Sequence, residues 1–96
     1  MTKAEIINEI ALKTGIEKTQ VSSILESFMK SVKNRMAVGE NIYLRGFGTF
    51  LVKKRARKLA RNISKNTTLI IPEHFIPSFK PAKNFSDKVK SVKTTK

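Results

Sequence analysis

The chain has 96 residues, enough for one domain with a modest core, so a partner chain is an expected source of stability. It is 40% hydrophobic with six Phe, which excludes a disordered basic tail, and it has no cysteine, which excludes disulfides and thiolate metal sites. Twenty Lys and Arg against seven Asp and Glu give a net charge of +13, which calls for a polyanionic partner or an anionic surface.

Thr2 followed by Glu5 is a capping-box pattern, and Ile6, Ile7, Ile10 and Ala11 recur at helical spacing up to Gly15, which predicts a short amphipathic helix. Met1 to Ile10 also carries Glu5, Asn8 and Glu9 with no signal-peptide apolar block, and no apolar run approaches membrane-spanning length. Neither secretion nor membrane insertion is expected, and a cytoplasmic location is. A second helix is predicted from about Lys18 to Val38, with Val21, Ile24, Leu25, Phe28, Val32 and Met36 on one face and Gly39 as its terminator. The two helices form a hairpin.

From Asn41 the pattern changes. Ile42, Tyr43 and Leu44 precede Gly46-Phe47-Gly48-Thr49-Phe50, which places two glycines around a strand turn and begins a β-hairpin. Its second strand continues through Leu51 and Val52 into Lys53 to Arg61, too polar to be buried and without helix-stopping punctuation. Asn62, Ser64, Lys65 and Asn66 predict a turn, and Thr67 to Ile71 is β-prone again, so a long hairpin arm over about residues 53–74 leaves the body and returns. Pro72, Pro77 and Pro81 make Phe75 to Lys80 an edge or extended segment and not a central strand. A last short helix is predicted from Lys83 to about Ser91, with Phe85 and Val89 at i and i+4. The whole is one domain, residues 1–91, followed by a basic tail, residues 92–96, expected to fray.

The charge is concentrated in the second half. Residues 1–45 hold seven basic and five acidic side chains, whereas residues 46–96 hold thirteen and two. The first half therefore reads as scaffold and the second as binding surface. Lys53 to Arg61 has six cations and no acid, and in a strand Lys53, Arg55, Arg57 and Arg61 share one face that can follow phosphates or enter a groove. Edge protection by charge is the plainer reading, but a single-sign run this long exceeds that need. The six Phe residues fit core or subunit packing better than base stacking. His74 is the only histidine and has no neighbouring ligand set, and Gly46-Phe47-Gly48 lacks the rest of a phosphate-cradling loop, so no metal, nucleotide or other cofactor is indicated.

The order of helix hairpin, Arg45-Gly46-Phe47-Gly48-Thr49-Phe50, basic arm with Arg61-Asn62, and Ile76-Pro77-Ser78-Phe79-Lys80-Pro81-Ala82-Lys83 resembles the HU/IHF family of bacterial nucleoid-associated, histone-like DNA-bending proteins. The resemblance spans about residues 1–91. It implies an α+β fold in an intertwined dimer: an N-terminal helical hairpin, a three-stranded antiparallel sheet extended into a long β-arm, and a short C-terminal helix. It also implies two arms that wrap the minor groove and insert an apolar wedge. On that resemblance Arg55, Lys58, Arg61 and Asn62 match the arm, and Ile63 falls where the family carries its intercalating proline. Lys3, Gly46, Lys80 and Lys83 match positions that hold phosphates on the flanks of the body. The basic residues Lys53, Arg57 and Lys65 complete the expected DNA-binding set. The chain departs from the family at the arm tip, where Arg61-Asn62-Ile63-Ser64-Lys65-Asn66 has neither the wedge proline nor the turn glycine, and at Ala82, which stands for a usual glycine.

The expectation is thus a non-catalytic, nucleoid-associated homodimer that bends and compacts double-stranded DNA, without a small-molecule substrate or a membrane role. The alternatives are a sequence-preferring IHF-like subunit of a heterodimer and a basic RNA-binding module.

Overall fold

A computed structural model describes residues 1–62 and 67–92. Helix α1 spans Lys3–Thr14 and α2 spans Lys18–Ala37. Both ends of α1 follow from local chemistry. The backbone N–H of Glu5 donates to Thr2 Oγ1 at 3.3 Å, and the Thr2 N–H donates to Glu5 Oε1 at 3.3 Å, so two otherwise orphaned donors are satisfied reciprocally. At the other end Gly15 adopts the left-handed conformation at φ 77°, which only glycine takes without cost, and its N–H reaches the Ala11 carbonyl. The helices pack through Ile7, Ala11 and Val21, with Ile10 and Leu25 half-buried against them.

Strands β1 (Ile42–Leu44), β2 (Gly48–Arg55), β3 (Lys58–Asn62), β4 (Thr67–Ile71) and β5 (His74–Pro81) lead to helix α3, Lys83–Lys90. Strands β1, β2 and β5 form an antiparallel sheet in that order, and β3 pairs with β4 in a separate antiparallel ribbon. The β1–β2 turn closes through the Phe47 N–H on the Leu44 carbonyl at 2.9 Å, with Gly46 at φ 83° in the third position of the turn, where a positive φ is required. Beyond the end of β1, Asn41 Oδ1 accepts from the Val52 N–H at 2.9 Å and prolongs the pairing of β2 with a side chain. Strand β5 is an edge strand, which is why it accommodates Pro77 opposite Val52.

Between sheet and ribbon the ladder stops. Arg55 pairs with His74 and Lys58 with Ile71, leaving Ala56 and Arg57 on one strand and Pro72 and Glu73 on the other. Pro72 has no N–H to give to a ladder. Equal numbers of residues are skipped on both sides, so the two ladders keep one register with no extra residue on either strand.

Phe47, Phe50, Phe79 and Phe85 cluster on the body, with ring centroids 5.0 Å apart for Phe50 and Phe79, 5.2 Å for Phe47 and Phe79, and 5.3 Å for Phe47 and Phe85. This joins the sheet to α3. None of these rings is fully buried, and the buried hydrophobic residues among those described are Ile7, Ala11 and Val21. No described helix is long and apolar enough to cross a membrane.

Candidate nucleic-acid interface

Strand alternation sorts the second half of the chain into an apolar side and a cationic side. On the apolar side Ile42, Phe50 and Phe79 stand in one row, with Val52 opposite Pro77. On the other, Tyr43, Thr49 and Lys80 form a row, followed outward by Leu51 opposite Ser78, Lys53 opposite Ile76 and Arg55 opposite His74, while Lys54 opposite Phe75 has the apolar parity. Beyond the break the same parity gives Leu59 opposite Ile70 and then Arg61 opposite Thr68. Lys53 and Arg55 therefore share a side of the sheet, and Arg61 has the matching parity in the ribbon. Arg57 sits in the break between the ladders, and Lys58, opposite Ile71, has the parity of the apolar side. Asn62 ends β3 at the register position opposite Thr67. Ile63 and Lys65, and with them the tip turn, lie outside the described residues, as do residues 93–96 of the tail.

At the foot of this surface is a recess of about 460 Å³ that gathers Gly46, Lys80 and Lys83 together with Arg45 and Thr49. Lys83 is the first residue of α3, and no side chain caps that helix, whose N-cap is Ala82. The uncapped N–H groups of a first helical turn, with two lysines and an arginine around them, make a fitting cradle for a phosphate oxygen. The recess is held in shape by the Ala82 N–H on the Phe47 carbonyl at 2.9 Å, which ties the start of α3 to the β1–β2 turn. Gly48 lies under the same corner. A Cβ there would come within 2.6 Å of both the Lys80 carbonyl oxygen and Phe79 Cζ.

Lys3 is elsewhere, at the start of α1, and its Nζ is paired with Glu26 Oε1 of α2. That hydrogen bond and the lysine charge, with a smaller contribution from Lys33, hold the Glu26 carboxyl below the usual carboxylate range. Lys3, Lys30 and Lys33 line a shallow groove around it. At the arm base Lys54 and Glu73 form an ion pair at 3.3 Å at the body-side edge of the break in the ladder. His74 Nδ1 lies 3.1 Å from the Pro72 carbonyl, and among the described residues no group of three or more His, Cys, Asp or Glu is placed to hold a metal.

Two participants escape sequence reading. Arg45 adjoins the glycine turn and was legible only as part of the motif, while Glu26 is 23 positions from Lys3 and no periodicity links them. Among the described residues, the other members of the expected DNA-binding set fall into three places: the recess, the arm and the α1 terminus.

The family model described as bacterial DNA-binding protein matches residues 1–90. Among curated relatives, the DNA-binding protein HU of Thermotoga maritima is 38% identical over 90 residues, covering 94% of this chain and all of that protein. The DNA-binding protein HU of Thermus thermophilus is 34% identical, covering 94% of this chain and 93% of that one. Among solved structures, an HU–DNA cocrystal from Anabaena superimposes with a TM-score of 0.89 at 28% identity, covering 96% of this chain and all of that chain. HU from Thermotoga maritima superimposes with a TM-score of 0.68 at 29% identity, covering 93% of this chain and 98% of that one.

Proposed function

The chain belongs to the bacterial DNA-binding protein family, the family of the HU proteins, and we infer from that membership and from its cationic ribbon that it is a non-catalytic architectural protein that binds and bends duplex DNA. The observation that carries this reading is the placing of Lys80, Lys53 and Arg55 on one side of the sheet, with Phe50 and Phe79 on the other, and of Arg61 at the matching parity of the ribbon beyond the break. Such a ribbon is a backbone-following clamp. Affinity comes from phosphate contacts, and selectivity from groove width and the deformability of the duplex.

The arm, with Lys53, Arg55, Arg57, Lys58, Arg61, Asn62 and Lys65, lies along the minor groove. Ile63 at its tip supplies the apolar wedge that unstacks a base step. The flanks of the bent duplex then reach Gly46, Lys80 and Lys83 at the recess and Lys3 at the start of α1. The binding unit is a homodimer, which provides two arms and covers the apolar surface that one chain leaves open. Association with the nucleoid follows from DNA binding of this kind.

The test is a salt titration on a short duplex. Neutralising about 6 to 10 phosphates lowers affinity by roughly 10³ to 10⁵ between 50 and 200 mM salt, and a nearly flat response overturns the clamp. Competition by duplex RNA separates groove reading from plain charge, because the A-form minor groove is wide and shallow and does not admit the arm in the same way.

A further inference from the structure

The arm carries an apolar pair that an electrostatic clamp leaves unexplained. Leu59 and Ile70 are directly opposite each other in the ribbon, on the parity that also carries Arg55 on one side of them and Arg61 on the other. They are 62% and 61% exposed, although every solvent-facing position of a slender ribbon favours a polar side chain. Cross-strand apolar neighbours of this kind are close enough to act as one surface. Leu69 and Ile71, on the opposite parity, continue the line of Phe50, Val52 and Phe75 toward the body.

We propose that Leu59 and Ile70 form a further DNA contact, an apolar patch packed against the deoxyribose walls of the groove between the phosphates held by Arg55 and Arg61. The inference rests on the clamp reading and adds to it a part of the affinity that salt does not screen. Charge decides the occupant. Arg55, Arg57, Lys58 and Arg61 repel another arm, whereas duplex DNA offers anionic edges to the cations and nonionic sugar carbons between them. The patch is apolar and not polar because sugar C–H groups present no hydrogen-bonding pattern to match, and displacing water from both surfaces is the available gain.

The test uses the full chain with Leu59→Thr and Ile70→Thr together, chosen because threonine keeps β propensity while removing most apolar surface. Leu59→Val with Ile70→Val is the control. Affinity for one duplex is measured across a salt series for parent and both variants. At every salt the threonine variant binds about tenfold more weakly with an unchanged slope of log K against log salt, the scale of two partly buried apolar side chains, and the valine variant stays within about twofold of the parent.

Superposition of the threonine variant on a steeply salt-dependent parent overturns this inference and leaves the clamp standing. A parent with no salt slope overturns the clamp itself. A changed slope in the threonine variant overturns the inference by showing displaced phosphate contacts. Lost cooperativity with unchanged single-site affinity also overturns it, and assigns the pair to contact with a second copy. Equal weakening of the valine variant overturns it by showing that arm shape, not apolar surface, was altered.

Discussion

At the scale of single residues, a carboxylate that neutralises a cation competes with a phosphate proposed to bind there. Lys3 holds Glu26 ionised below the usual carboxylate range, so this pair contributes to the folded state above that range and the contribution is lost as pH falls through the lowered value. Both side chains are half exposed, which keeps the contribution small. When a phosphate takes Lys3, the Glu26 carboxyl returns toward its ordinary value, and binding in mildly acidic solution is coupled to proton uptake. Glu26→Gln is expected to strengthen DNA binding by less than about fivefold near neutral pH. The gain should shrink as the parent is acidified toward protonation of Glu26, and affinity titrations of both proteins along a pH series check this. Equal affinities at all pH values would mean that Lys3 does not exchange Glu26 for DNA. Two glycines at the recess give a contrast of causes. Gly46→Ala meets no atom within 4 Å, so its cost is the left-handed conformation alone, about 1 to 2 kcal/mol. Gly48→Ala drives a Cβ into a backbone oxygen and an aromatic ring of the Phe cluster, and about 1 to 3 kcal/mol of overpacking strain is expected. Thermal unfolding should show both losses. Binding at the recess should suffer more from Gly48→Ala, because the displaced neighbour is the backbone of Lys80 itself.

At the scale of elements, the arm and the body can be perturbed separately because the ladder stops at residues 56–57 and 72–73. Replacing Arg55, Lys58 and Arg61 together by Ala is expected to weaken DNA binding strongly while leaving the thermal midpoint nearly unchanged, since surface substitutions away from the core stay within about 0.5 kcal/mol each. A variant that loses its fold but binds normally when folded would contradict the arm assignment. Ile63→Ala removes the proposed wedge and no cation, so bending should fall strongly and affinity modestly; energy transfer between dyes on the two ends of a short duplex reports the bend at saturating protein. Undiminished bending would mean that charge alone curves the DNA. Much of this architecture was legible in advance, for identifiable reasons. Thr2 with Glu5, Gly15 and Gly39 mark helix ends by chemistry that acts within a few residues, and Gly46 and Gly48 mark the strand turn in the same way. The break in the arm was not legible from the first strand, because nothing in Lys53 to Arg61 interrupts a ladder; the cause is Pro72 on the strand opposite. The recess was readable residue by residue on resemblance, but its construction depends on the Ala82–Phe47 backbone bond between distant segments, which leaves no periodic trace.

At the scale of the whole molecule, one chain is an incomplete object. Its radius of gyration is 19.1 Å, where a compact domain of this length has about 12 to 13 Å. The helix α2 face predicted from Val21 to Met36 is only partly covered: Val21 is buried, but Ile24 is 64% and Phe28 41% exposed, and in the Phe cluster Phe47 is exposed while Phe50, Phe79 and Phe85 are half-buried. Each such side chain gives about 1.5 to 3 kcal/mol on full burial, a large share of the 5 to 15 kcal/mol that holds a domain together. On the homodimer proposed above, a second copy covers them, and that cover is expected to be a condition of folding and not an added layer. Folding and association are then one equilibrium, and the unfolding midpoint is expected to rise with protein concentration. Ile24→Ser with Phe28→Ser should lower that midpoint and shift sedimentation from dimer toward unfolded monomer, without touching any cation of the recess or arm. DNA binding should fall in step with dimer population, because one arm offers half of the phosphate contacts and no opposed wedge. A folded monomer at micromolar concentration, unfolding at a midpoint independent of dilution, would overturn the dimer and require that the exposed faces of α2 and of the Phe cluster be covered from within the same chain.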